Sequence, residues 1–130
     1  MTLVVIGPPR TKKNSLRVMR GKGGRPFVAQ SREACAWEEI AILQLQAQRA
    51  RFDARSPVPL PWVVPANLRA LVYRDRAVGD LGNYLAAVCD ALERAGIVAN
   101  DRLVAGFDGS RLLVDRKNPR VEIELTEMAG

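Results

Sequence analysis

Asp80, Asn83, Asp90 and Asp101 are the residues whose types and spacing point to chemistry, all within the stretch GDLGNYLAAVCDALERAGIVAND. The chain contains no histidine, which removes Ser-His-Asp and Cys-His nucleophile systems and histidine-based metal sites. Its two cysteines, Cys35 and Cys89, lie far apart without a CxxC spacing, which argues against a zinc site or a redox pair. Any catalysis must therefore run through carboxylates, lysines or a carboxylate-bound metal. Each acid also has an ordinary explanation. Asp80 is a credible helix N-cap, Asp101 a turn residue, and Asp90 could pair with Arg94 four residues on. Asn83 could cap the helix, orient a carboxylate or touch a phosphate.

The spacing of these residues predicts the element that carries them. Leu81, Leu85, Val88 and Leu92 recur at helical intervals and place an apolar stripe on a core. Asp80, Asn83, Ala87, Asp90 and Arg94 share the opposite side. With Asp80 as N-cap and Gly96 as stop, the helix runs from about residue 81 to about 95. Asp101 follows a turn-like Ala-Asn pair and precedes the apolar Leu103 and Val104.

Around that helix the chain reads as strands and one further helix. LVVIG opens as a strand ended by Pro8 and Pro9, and residues 10 to 26 form a basic, Gly-rich stretch suited to a loose hairpin, with Phe27 and Val28 as a short apolar touch-down. Ser31 caps a long helix reaching about Arg51, with Ala36, Ile40, Leu43 and Ala47 expected on its core side. Four prolines in DARSPVPLPWVVP mark a linker. A strand follows over residues 66 to 73. Leu103 to Val114 reads as a strand interrupted near Gly106 and Gly109, and Asn118-Pro119 turns into the last one. There Val121, Ile123 and Leu125 face in, and Glu122, Glu124 and Thr126 face out. Both cysteines fall among apolar residues and are expected as buried thiols. Trp37 and Trp62 are expected as core packing. The sum is a mixed sheet with two main helices, an α/β or α+β fold.

The 130 residues suggest one domain, spanning 1 to 130, small enough that pairing with a second copy is a reasonable expectation. No run approaches the 18 or so apolar residues of a membrane span, so the chain is expected to be soluble and cytoplasmic. The net charge is +6 and unevenly placed. Arg10, Lys12, Lys13, Arg17, Arg20, Lys22, Arg25 and Arg32 all precede the first acid, Glu33, and the rest of the chain is slightly acidic. Such a cluster supplies phosphate contacts that favour nucleic acid strongly and read sequence weakly. A solubilising arm is the bland alternative.

The pattern of Asp80, Asn83, the Asp90-Ala91-Leu92 triplet, the Gly96 turn and Asp101 before an apolar strand resembles the core motif of the RusA family of Holliday junction resolvases. The opening LVVIGPPRTKKNS and the closing RVEIELTEM also resemble that family's first and last strands, so the likeness spans nearly the whole chain. The resemblance implies a homodimeric, Mg²⁺- or Mn²⁺-dependent endodeoxyribonuclease that resolves four-way DNA junctions by paired nicks in recombination and repair. It implies Asp80 and Asp101 as catalytic metal ligands, with Asn83 and Asp90 in support. Backbone contacts to branched DNA would come from Arg10, Lys12, Lys13, Arg17, Arg20, Lys22, Arg25, Arg74 and Arg76.

Two positions depart from the family pattern. Gly82 stands where an Asp is usual, and Ala86 where a Lys is expected. The lost acid would weaken a metal site or remove a second metal. Arg74, Arg76, Arg102, Lys12 or Lys13 could replace the missing positive charge, and Arg111 falls near a position that is basic in many relatives. Two alternatives stay open: a junction-binding relative with weakened or absent catalysis, and a basic domain that binds RNA or other proteins.

Overall fold

The computed structural model describes residues 1–11, 16–20, 26–30, 32–53 and 59–128, with residues 16–20 and 26–30 described as backbone. In chain order the elements are β1 (Thr2–Ile6), β2 (Leu16–Arg20), β3 (Pro26–Gln30), α1 (Arg32–Asp53), β4 (Ala66–Arg74), α2 (Leu81–Arg94), a 3-10 turn (Asp101–Leu103), β5 (Val104–Gly106), β6 (Arg111–Val114) and β7 (Arg120–Glu127). This is an α+β arrangement of a mixed sheet with two helices.

The main sheet has the order β1-β7-β4, with both β5 and β6 against the far side of β4. β7 is antiparallel to β1 and to β4, whereas β5 and β6 run parallel to β4. The expected break near Gly106 and Gly109 is present. β5 covers the start of β4 and β6 its end, and Gly109, at φ +84°, makes the turn between them. Ser110 bridges the gap, its Oγ accepting from the Ala70 N–H at 3.0 Å and donating to the Leu68 carbonyl at 3.1 Å. The expected basic hairpin is the separate antiparallel pair β2-β3, which extends to Gln30.

Alternation along the strands builds the core. Leu3 and Val5 of β1, Ala66, Leu68, Ala70 and Val72 of β4, and Val121, Ile123 and Leu125 of β7 are all buried. They pack with Tyr84, Leu85, Val88, Cys89 and Leu92 of α2 and Trp37, Ala41 and Leu45 of α1. β4 is central, paired on both sides, and its C-terminal end feeds the loop that starts α2.

α1 sits differently from its expected orientation. Ala36 and Ala47 are exposed, as are Ile40 at 49% and Leu43 at 66%, while Ala34, Trp37, Ala41 and Leu45 are buried. The buried set has the same helical spacing, rotated about the axis. Trp37 supplies the largest apolar surface on the helix, and Gln44 and Gln48 must reach the backbone of β1, so that side turns inward. Cys35 is exposed, contrary to expectation, because it precedes Ala36 on the outward turn; Cys89 is buried as expected. Neither forms a disulfide.

Candidate functional site

α2 begins and ends as its sequence prescribes. Asp80, in extended backbone at φ −105° and ψ 159°, caps the first turn, its Oδ1 accepting from the Asn83 N–H at 2.9 Å. At the other end Gly96, at φ +76°, lets the chain reverse. The Gly96 N–H donates to the Glu93 carbonyl at 3.0 Å and the Ile97 N–H to the Leu92 carbonyl at 2.9 Å, satisfying the last carbonyls of the helix.

The Asp80 carboxylate is oriented on both oxygens. Its Oδ2 accepts from Asn83 Nδ2 at 3.0 Å, so one asparagine fixes the whole group. Asp80 is exposed, and each oxygen keeps a lone pair for a further ligand. Of the three roles open to Asn83 in the sequence, the structure shows carboxylate orientation, with its main-chain N–H meeting the cap.

The loop in front of Asp80 is braced from two sides. Arg74, the last residue of β4, donates from Nε to the Leu113 carbonyl at 3.2 Å and from Nη1 to the carbonyls of Val78 at 3.5 Å and Gly79 at 3.3 Å. The Tyr84 hydroxyl donates to the same Val78 carbonyl at 2.8 Å. Gly79, at φ +89°, makes the backbone turn that a side chain would strain. One further tie enters from the segment after β1: Arg10 grips Asp75 through two bonds of 2.8 and 2.9 Å and donates to the Pro9 carbonyl at 2.9 Å. That bidentate pair holds the Asp75 carboxyl below the usual carboxylate range and raises the Arg10 guanidinium. Burial pushes the Tyr84 phenol up, against the lowering influence of Arg74 and Arg10.

Asp101 lies in the 3-10 turn beyond α2, where Asn100 caps by accepting from the Arg102 N–H at 2.9 Å. It is exposed. Burial pushes the Cys89 thiol up to about 11, with Asp101 and Asp90 adding to the rise. Asp80 stands at the helix N-terminus with Asn83. Arg94 bridges to Glu38 of α1 at 2.8 Å, tying the two helices together.

The predicted basic residues divide by environment. Arg10 and Arg74 are engaged in the ties just described, and Arg76 is exposed beside them. Arg17 and Arg20 lie on β2, opposite Ala29 and Pro26 of β3. Lys12, Lys13, Lys22 and Arg25 lie outside the described residues. The bracing roles of Tyr84 and Asp75 were missed in the sequence; a tyrosine one turn into a helix and an acid flanked by two arginines were the available signals.

A divalent cation needs oxygen donors, and the residues present meet that need in part. Asp80 offers an exposed, oriented carboxylate, a donor type that suits Mg²⁺. Among the described residues, no group of three or more acidic or cysteine side chains is arranged to hold an ion. At Gly82 a Cβ would meet Asp80 Oδ1 at 3.6 Å, an ordinary contact, so a Cβ is accommodated there.

The fold and site define an α+β protein with an oriented carboxylate at a helix N-terminus and a basic N-terminal quarter in its sequence. The particular family follows from comparison: the chain matches the model of endodeoxyribonuclease RusA over residues 7–126 and belongs to that family. The family comprises Holliday junction resolvases, endonucleases of recombination that bind branched DNA and are generally dependent on divalent metal. No curated protein matches the chain. Among the described residues no helix is long and apolar enough to cross a membrane.

Proposed function

We propose that this chain, as one domain over residues 1 to 130, is a Mg²⁺-dependent endodeoxyribonuclease that resolves four-way DNA junctions in recombination and repair, working in the cytoplasm. Membership of the RusA family over nearly the whole chain carries the reading. Two symmetric nicks need two sites, so the active form is a homodimer whose two-fold axis matches that of the junction.

Asp80 and Asp101 are the metal-holding carboxylates on this reading. Both are exposed, and among the described residues neither makes an ion pair that would compete for a cation. Bound Mg²⁺ or Mn²⁺ supplies charge neutralisation at the scissile phosphate and activation of water. Asn83 holds the Asp80 carboxylate in a fixed orientation, and Asp90 supports the site from α2. Lys12, Lys13, Arg17, Arg20, Lys22, Arg25 and Arg76 grip the phosphate backbone, where recognition is of branched shape. Arg10 and Arg74 contribute by shaping the loop before Asp80.

A second reading keeps the binding and loses the cut. Gly82 favours it, because a glycine there offers no carboxylate to an ion held by Asp80. Cleavage of a synthetic four-way junction by the unaltered chain, by Asp80→Asn and by Asp101→Asn separates the two. The first reading expects cutting with Mg²⁺ that falls at least 100-fold, about 3 kcal/mol of transition-state stabilisation, in either variant. Equal cutting by Asp101→Asn removes that residue from the site. Junction binding without cleavage by any form supports the second reading.

A further inference from the structure

β1 ends the main sheet on one side, so the outer backbone groups of this strand have no partner strand among the described residues. Leu3, Val5 and Gly7 turn their backbone groups toward β7, continuing the register set by the Met1-Leu125 and Gly7-Pro119 bonds. Val4 and Ile6 turn theirs outward. An uncharged segment of sequence TLVVI with such an edge is a template for pairing with another copy of itself.

Two glutamines of α1 meet that edge. Gln48 Oε1 accepts from the Val4 N–H at 2.8 Å while its Nε2 donates to the Val4 carbonyl at 2.7 Å. Gln44 does the same for Ile6, with both distances 2.8 Å. Each side-chain amide exchanges two bonds with one residue, which is how residues pair across antiparallel strands. The geometry permits it because four helical residues rise about 6 Å. Two strand residues advance about 6.8 Å, a near match. The order is reversed, 44 with 6 and 48 with 4, so α1 runs antiparallel to β1. Only a primary amide offers this donor and acceptor pair; Glu accepts alone and Lys donates alone.

We propose that Gln44 and Gln48 make α1 a surrogate strand, closing the β1 edge to strand addition by a second copy of this chain. Any pairing of copies then runs through other surfaces. The inference rests on the four bonds and stands independently of the nuclease reading.

Amide hydrogen exchange on the unaltered chain, residue by residue, tests the closure directly. Val4 and Ile6 are expected to be protected to a degree comparable with Leu3 and Val5; free exchange at either amide overturns the proposal. In Gln44→Leu with Gln48→Leu, the Val4 and Ile6 amides should exchange about tenfold faster or more while Leu3 and Val5 stay protected. Sedimentation velocity over a concentration series should show this double variant assembling beyond the unaltered chain, and Ile6→Lys added to it should reverse that. Gln48→Glu, which keeps the acceptor, should leave the Val4 amide protected and serves if the double variant fails to fold. Retained protection in the double variant, or an unchanged state of association, counts against the proposal.

Discussion

At the scale of single residues, Gly82 is, with Ala86, one of two positions that depart from the pattern the resemblance leads one to expect. It sits in the first turn of α2 with a backbone that any residue can adopt, and a Cβ there would make an ordinary contact with Asp80 Oδ1 at 3.6 Å. Gly82→Asp is therefore tolerated by the backbone at this position. Its charge suits the helix N-terminus but repels Asp80 unless a cation lies between them. Thermal unfolding with and without Mn²⁺ should show a larger metal-induced rise in midpoint for Gly82→Asp than for the unaltered chain. Equal shifts in the two would show that an acid at position 82 adds no metal ligand. Asp75 yields a second expectation. Its folded pKa is lowered by Arg10, so its stabilising pair is complete above the ordinary carboxylate range and is lost as pH falls through the lowered value. Asp75→Asn should lose roughly 1 kcal/mol at neutral pH, since the pair is partly screened, and its stability should fall less steeply in acid, both measured by urea unfolding. The N-cap Asp80 and the stop at Gly96 were legible in the sequence because both act on backbone within a few residues. The Arg10-Asp75 tie spans 65 positions, and the local Arg74-Asp75-Arg76 run does not point to Arg10 as the partner.

Among the elements, α2 and the loop before it form the unit that sets Asp80, and Arg74 is the part on which most of the loop hangs. Its guanidinium reaches across from β6 to the Val78 and Gly79 carbonyls. A lysine cannot serve both directions, because its donors radiate from one nitrogen. Arg74→Ala should cost about 1–3 kcal/mol in urea unfolding, with Arg74→Lys recovering less than half of the loss. Full recovery by lysine would show that charge, and not the forked geometry, is what matters. α2 was read correctly because its apolar stripe is strong and its ends are marked. α1 carries two apolar stripes at helical spacing, Ala36-Ile40-Leu43-Ala47 and Ala34-Trp37-Ala41-Leu45, and only the second faces the core. The choice between them is made by long-range partners: the β1 backbone for Gln44 and Gln48, and α2 for Glu38 through Arg94. The interrupted β5-β6 strand was visible in its two glycines, whereas the parallel pairing of both halves with β4 is a property of the whole sheet.

For the whole molecule, the uneven charge and the family membership converge on branched DNA. Eight basic residues from Arg10 to Arg32 precede the first acid, while Asp80, Asn83, Asp90 and Asp101 lie at the start of α2, on it and beyond it. That separation was plain from composition alone, since no acid occurs before Glu33. The proposed function requires that the chain cut a four-way junction symmetrically. The most direct measurement is a denaturing-gel analysis of a synthetic junction, each strand labelled in turn, incubated with the unaltered chain and Mg²⁺ beside a linear duplex of the same sequence. Paired nicks at matching positions in two opposing strands, dependent on Mg²⁺ and absent from the duplex, are the predicted result. An intact junction under conditions where the protein demonstrably binds it, or equal cutting of the duplex, would contradict the account.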